Sequence, residues 1–521
     1  MRTFRGSSFA RVSAWAFAAA VGLHAVDASA TIALEPWPPT IPPIVPGATT
    51  AAPAAVPDET PAPPPAVEPS PEPDARPEAT SSSVPDDATV VARHAPAPRT
   101  ELPWRHFVGL SENRFFVRTA GSELVLFPGG VLDLDTRSFH TGNLETPEEG
   151  LHLDHARFEV AGLLRDVVSF DAAVNLANRP SFHGVDNYVA VSLPGKADRV
   201  IFQAGQFDGP FTMDNRISDR GLDFLERSTL SRTLAIPENK VQGLMFHGTN
   251  PTRSYYYSGG GFFGNGETDG MGRAWIAPLS FLRVPELVRD ISVGASLRLG
   301  HSRSPSALAA QTTQSGFVFF DPRTRWLDGA NVTDVDLRTR GNLTAVGLEL
   351  NAPLAHKYGA RFEWTLKHQP LESFSASDGQ APAVHGGMAL DGWATYGELY
   401  SWVLGDDRIV GEPGLQLPVR LGTMGLPRSL RSLTGVMLAA RIEYLDEDLA
   451  AGSDPMAAAN VISAGKTKAT TLTLGANVWF ARRVRATMNY GWNHFSGNSV
   501  FFSGLTDSNV QELSVALSLV L

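Results

Sequence analysis

The chain has 521 residues, no cysteine and a formal net charge of −11. The charge balance excludes the basic excess of a nucleic-acid binder. The missing cysteine excludes thiolate metal sites, thiol nucleophiles and disulfide staples.

The first 30 residues read as an export signal. Arg2, Arg5 and Arg11 give a basic start, and Val12 to Leu23 is an apolar run too short to span a bilayer. Ala28-Ser29-Ala30 supplies a cleavage site. Residues 31–100 are dominated by Pro and Ala, with nine acidic residues and three Arg. Such a composition cannot build a core, so a disordered, partly polyproline periplasmic linker is expected. No later segment holds the roughly 18 continuous apolar residues of a membrane helix. Strands are not tested by that criterion, because their apolar residues alternate with polar ones.

From about residue 101 to 521 the texture is β. Ile291–Gly300 sets Ile291, Val293, Ala295, Leu297 and Leu299 on one face and Ser292, Gly294, Ser296 and Arg298 on the other. Ala360–Lys367 sets Phe362, Trp364 and Leu366 against Arg361, Glu363 and Lys367. The same alternation runs through Val436–Leu445, Leu472–Phe480, Arg483–Tyr490 and the last residues, where Leu513, Val515, Leu517, Leu519 and Leu521 share a face. Arg165-Asp166 and Ala481-Arg482 read as tight turns, and 302–341 and 370–390 as long loops. An apolar face against a polar one suits either a soluble sandwich or a membrane barrel. The export signal, the Arg and Glu on the polar faces and aromatics near strand ends (Tyr255-Tyr256-Tyr257, Trp479-Phe480, Tyr490, Trp492) favour the barrel. The fold class expected is all-β: a transmembrane antiparallel β-barrel of about 16 strands over 101–521, wide enough for a watery lumen.

Gly205 to Thr233, "GQFDGPFTMDNRISDRGLDFLERSTLSRT", interrupts this pattern. It carries Asp208, Asp214, Arg216, Asp219, Arg220, Asp223, Glu226, Arg227 and Arg232, with nearly balanced signs. At this stretch the chain resembles the phosphate-selective porin O and P family. Gly205, Gln206, Phe207, Pro210 and Phe211 match one family segment, and Phe224, Glu226 and Arg227 a second. "GANVWFARRVRATMNYGWNHF" is similar to the family's penultimate hairpin, and "ARIEYLDED" and "GWATYGELYSWVLGDDR" fit it too. The resemblance covers roughly 150–521 in patches. It implies a 16-stranded, usually trimeric outer-membrane barrel with a loop folded into the lumen. The charged stretch would then be that constriction loop, its two signs setting a local field; the same charges would equally serve as salt bridges pinning a loop.

Three departures stand out. Asp208 occupies a position where the family usually has Lys. The polar faces of the readable strands carry seven basic residues (Arg157, Arg298, Arg361, Lys367, Arg441, Arg483, Arg485) against six acidic ones (Glu159, Asp171, Glu349, Glu363, Glu443, Glu512), which makes no anion funnel. Leu521 stands where such barrels commonly end in Phe.

His152-Leu153-Asp154-His155 offers ligand-type groups, but strand geometry puts His155 on the other face from His152 and Asp154, so no metal is expected. The Gly-rich run at 259–267 has no helix behind it to cradle a phosphate. No Gly-x-Ser-x-Gly turn is present.

The reading is a non-enzymatic outer-membrane porin of a Gram-negative bacterium, passing small ions and solutes, with anions such as phosphate implied by the resemblance. Its expected partners are outer-membrane lipid, the barrel-assembly machinery and two further copies in a homotrimer, with no cofactor. The expected constriction residues are Asp208, Arg216, Arg220, Glu226 and Arg227, with Arg483 and Arg485 on the barrel wall. Two other classes compete: an envelope tether using the Pro-rich arm with a closed barrel, and a barrel hydrolase.

Overall fold

The computed structural model describes residues 108–520 except 112–113, 120–122, 141–148, 178–182, 194–197, 237–238, 265–266, 329–330, 378–382, 410–412, 416–434, 451–464, 482 and 499–507. The expected export signal, the expected Pro-rich linker and Leu521 lie outside the described residues.

Nineteen strands form one sheet. Three of them are appendages: the pair Val108–Ser111 and Arg114–Arg118, and Arg323–Asp328. The other sixteen follow one another as antiparallel neighbours. In chain order these are β1 (Leu124–His140), β2 (Gly150–Leu164), β3 (Val168–Asn175), β4 (His183–Ser192), β5 (Ile201–Asp208), β6 (Lys240–Thr249), β7 (Tyr255–Gly264) and β8 (Glu267–Ile276). Then come β9 (Ser292–Ala307), β10 (Asn331–Leu354), β11 (Tyr358–Ser377), β12 (Ala383–Leu404), β13 (Gly435–Ala450), β14 (Gly465–Ala481), β15 (Val484–Gly497) and β16 (Ser508–Val520). β16 pairs back onto β1, from Val520↔Val131 to Gln511↔His140, so the sheet closes and its lateral edges vanish. Among the described residues no helix is long and apolar enough to cross a membrane.

Burial is inverted relative to a soluble domain. The outward residues are Leu297, Leu348, Phe362, Ile442, Leu472 and Met488, each between 41 and 50 % exposed. The inward residues on the same strands are Arg298, Glu349, Arg361, Glu443, Thr473 and Asn489, all buried. An apolar skin of this extent is stable only against lipid, and the polar interior only against water or polar partners. The strand-face assignments made from alternation hold on β9, β11, β13, β14, β15 and β16. Tyr255 and Tyr257 near one end, and Trp393, Tyr444, Tyr490 and Trp492 toward the other, mark the two interfaces.

Connections at one end are short. Arg165 and Asp166 adopt φ of 50° and 54°, as do Ala355 and His356 at 53° and 57°, the twin left-handed residues of a tight hairpin. At the other end the connections are mostly longer, and two of them turn inward. The expected loops 302–341 and 370–390 are largely not loops. β9, β10, β11 and β12 extend through them, with register shifts at Thr339/Thr344 and Leu371/Ser373. Their Gly and Ser residues mark these irregular, protruding ladders. The short-turn rule also has two exceptions at the turn end: residues 277–291 between β8 and β9, and the stretch between Leu404 of β12 and Gly435 of β13.

Candidate functional site

The charged stretch begins where β5 meets the lumen. Gly205 sits at φ 133°, and a Cβ there would lie 2.1 Å from the Asn187 carbonyl, so only glycine fits. Beyond Asp208, residues 209–239 fold inward as short turns: 3-10 segments at Asp214–Arg216 and Asp219–Gly221, and a π turn at Ser231–Ala235. Their apolar side chains dock on the wall. Phe211, Ala235 and Ile236 pack with Met245, Phe262, Met271 and Leu343, while Phe224 packs with Tyr400, Trp402 and Trp479.

The charges close the rest of the interface. Asp214 accepts from the Ser228 N–H and Oγ at 2.8 and 2.7 Å, and its own N–H donates to Glu363 at 2.8 Å. Arg227 donates to the carbonyls of Asp214 and Ile217 at 2.7 and 2.8 Å and to the Asp219 carboxylate at 2.5 Å. Arg361 on β11 reaches Asp223 at 2.6 Å and Glu398 at 2.7 Å. Arg441 on β13 lies 4.4 Å over the Phe224 ring and donates to the Glu226 carbonyl. Burial pushes the Asp214 carboxyl up, but Arg441 and Arg227 outweigh it and hold it below the usual carboxylate range. Asp219 is held low in the same way by Arg227, against the effect of burial. Glu226 goes the other way: burial, then the charge of Asp154, raise its carboxyl.

The expected constriction residues therefore separate. Asp208 is buried against Lys240 at 2.5 Å, its cross-strand partner in register, and Lys240 also reaches Asp186 at 2.9 Å. Arg216 is 1 % exposed and donates to the Asp208 carbonyl at 2.6 Å. Arg227 is buried inside its own loop. The side chain of Arg220 lies outside the described residues. Arg483 sits in the turn before β15 rather than on the wall. Glu226 and Arg485 border open space, Arg485 donating at 2.9 Å to the Leu222 carbonyl.

A second inward segment, residues 308–322, escaped the sequence reading. Its small hairpin, Gln311–Thr312 with Val318–Phe320, hangs on wall carboxylates and hydroxyls. Gln311 donates to Glu447 at 2.7 Å, Thr313 to Glu512 at 2.8 Å and Gln314 to Thr473 at 2.9 Å, while Ser315 and Ser514 hydroxyls meet at 2.8 Å. Phe317 and Phe319 stack on Phe495, and Arg232 ties this segment to the first through Thr312 and Thr313. A third contact comes from the turn end: the Gly414 carbonyl accepts from Arg273 at 2.7 Å, and Arg273 forks onto Glu349 with two 2.8 Å bonds. The signal for the second segment was present: "GFVFF" places three phenylalanines inside an expected loop, and exposed loops do not keep such side chains in water.

Among the described residues a polar cleft lies along the wall formed by β1, β2, β15 and β16, with about 610 Å³ of non-atom space counting open solvent. Asp133, Asp135 and Arg137, Asp154 and His155, Asn489 and Gly491, and the small Ser514, Ala516 and Ser518 form its wall. Asp219, Leu225, Glu226, Gln314 and Ser315 face them from the inward segments. Glu512 to Ser518 spans about 20 Å of strand at ~3.3 Å per residue, much of a bilayer core. The motif at 152–155 borders this cleft, with His155 3.2 Å from Asp133 and 3.4 Å from Asp154. Among the described residues no group of three or more His, Asp or Glu side chains could hold a metal ion.

Residues 130–366 match the family model of phosphate-selective porin O and P. Over that span the chain is similar to this porin family. The matched span runs from β1 through the charged segment to β11 and so contains both inward segments from the loop end. No curated protein matches the sequence. Solved structures similar to it include the trimer form of OmpT, an outer membrane protein of Vibrio cholerae, at 12% identity over 76% of this chain and 99% of that one, with a TM-score of 0.42. An anion-selective porin from Comamonas acidovorans is similar at 11% identity over 77% and 100%, with a TM-score of 0.39. The outer membrane channel DcaP of Acinetobacter baumannii is similar at 10% identity over 77% and 99%, with a TM-score of 0.42. The family-model match supports an outer-membrane channel function.

Proposed function

We propose that the protein is a passive pore whose solutes move along the passage between the β1–β2–β15–β16 wall and the two inward segments. The observation that carries this is a closed sixteen-stranded barrel, apolar outside and polar inside, that keeps a polar cleft along one wall although two segments occupy its lumen. Within it, Glu226 and Arg485 act on the solute, while Asp208, Arg216 and Arg227 hold the segment in shape. Selectivity comes from a short, narrowed stretch where few charges act at close range. The reading is non-enzymatic. It includes export through residues 1–30, a spacer role for residues 31–100 and assembly as a homotrimer.

Single-channel recording in planar bilayers tests it. Stepwise conductance from the purified, folded full chain is the expected result, and its absence overturns the pore. The three inward contacts also suit the closed-barrel tether. That reading predicts no conductance, together with co-sedimentation with peptidoglycan that is lost when residues 31–100 are deleted.

A further inference from the structure

The pore reading leaves the solute class open, and the inference here rests on that reading. We propose that the passage prefers cations, with Asp154 and Glu226 as its specificity-determining residues.

The passage is bordered by six carboxylates, Asp133, Asp135, Asp154, Asp219, Glu226 and Glu512. Opposite them stand two guanidinium groups, Arg137 and Arg485, and one imidazole, His155. One guanidinium is neutralised by a carboxylate and the other is held by a backbone carbonyl. Arg137 pairs with Asp135 and lies 3.4 Å from Asp154, and Arg485 is turned onto the Leu222 carbonyl. The Asp154 side chain is 35 % exposed, against 21 % for Arg137, so a passing solute meets the carboxylate first. A separate observation points the same way. Asp135 is 4 % exposed, yet its Oδ1 is a buried oxygen without a hydrogen-bond partner, as is Oδ1 of Asp133. Such oxygens demand a donor or a cation, and the passage they border is where one is supplied. The lysine that could have offset this charge, Lys240, is spent on Asp208 and Asp186. Asp219 is paired with Arg227, and Asp133 and Asp154 lie beside His155, yet the lining still holds more carboxylates than cations, and that excess raises the local cation concentration and repels phosphate.

The test uses the full chain in planar bilayers under a tenfold KCl gradient. The reversal potential should report K⁺ permeating several-fold better than Cl⁻, and replacing chloride by phosphate should leave the cation current unchanged. Asp154→Asn combined with Glu226→Gln should bring the permeability ratio to less than half its starting value while conductance persists. Asp166→Asn, in the turn outside the lumen, should leave the ratio where it was. In the unaltered protein the preference should also weaken as acid protonates the carboxylates, a measurement that does not depend on any variant folding. Anion selectivity in the unaltered protein, or an unchanged ratio in the folded double variant, overturns the proposal. Absence of conductance overturns the pore reading instead.

Discussion

The 209–239 and 308–322 segments enter the same lumen from the same end, yet different chemistry holds them. The first is held by ions: Arg361 on Asp223, Arg227 on Asp219, and Asp214 between Ser228 and Glu363. The second presents neutral amides and hydroxyls to wall glutamates and seats its phenylalanines on Phe495. Ion pairing suits a long excursion. It fixes one geometry out of many, because each misplacement leaves a charge buried without its partner. The neutral hairpin gains more from burying apolar surface, and its hydrogen bonds set only its register. The lumen consequently divides into a sealed part, with Leu230, Leu234, Phe317, Phe319 and Phe320 in one cluster, and an acidic part that stays open.

The sharpest way to break this contrast is Arg361→Ala. It strands Asp223 and Glu398, both buried, and should cost about 3–5 kcal/mol, read as a lower denaturant midpoint together with a noisier, larger conductance. A loss under about 1 kcal/mol would show that the ionic anchor is idle. Phe319→Ala tests the other segment. Removing a ring stacked 4.9 Å from Phe495 should cost about 3 kcal/mol, but without the salt dependence expected of the ionic anchor.

The absence of cysteine makes a third test clean. Ser315→Cys with Ser514→Cys replaces two hydroxyls that lie 2.8 Å apart. The pair should cross-link under mild oxidation, with conductance unchanged on adding reductant, because the hairpin is already docked. Closure of the pore on oxidation would mean that this segment moves in the open channel.

The smallest effect is expected from acid. Asp214 and Asp219 have folded-state carboxyls below the usual range near 4, so their contribution to stability is complete above that value. It is lost only as pH falls through the lower, folded-state range. The first segment should therefore stay docked at pH 4, checked by unchanged protease resistance of 209–239. Glu226 is raised, so it takes up its proton earlier on acidification, and that proton reduces the charge of the passage before the anchors weaken.

Much of this was legible in the chain, and for a definite reason. A strand repeats every two residues, so Leu472 and Leu474 must share a face that Thr473 does not. Once the outward face is apolar on strand after strand, a closed barrel in lipid follows. The inward charged segment was legible as well, since so many charges between two strands need partners. Which partners they take was not. Arg361 and Asp223 are 138 residues apart, and Thr313 and Glu512 are 199. Asp208 read as a reversed selectivity charge and proved to be half of a pair with Lys240, visible only once β5 and β6 were in register.

By itself, then, the sequence determined the barrel, its approximate strand number and the presence of a charge-dense segment between two strands, because these depend on local period and composition. The tertiary structure alone decided which charges are consumed in pairs and which face the passage. Whether a carboxylate is a brace or a filter depends on the nearest opposite charge in space. In a closed barrel that charge comes from strands far apart along the chain, brought within a few ångströms only by closure and by the two inward segments.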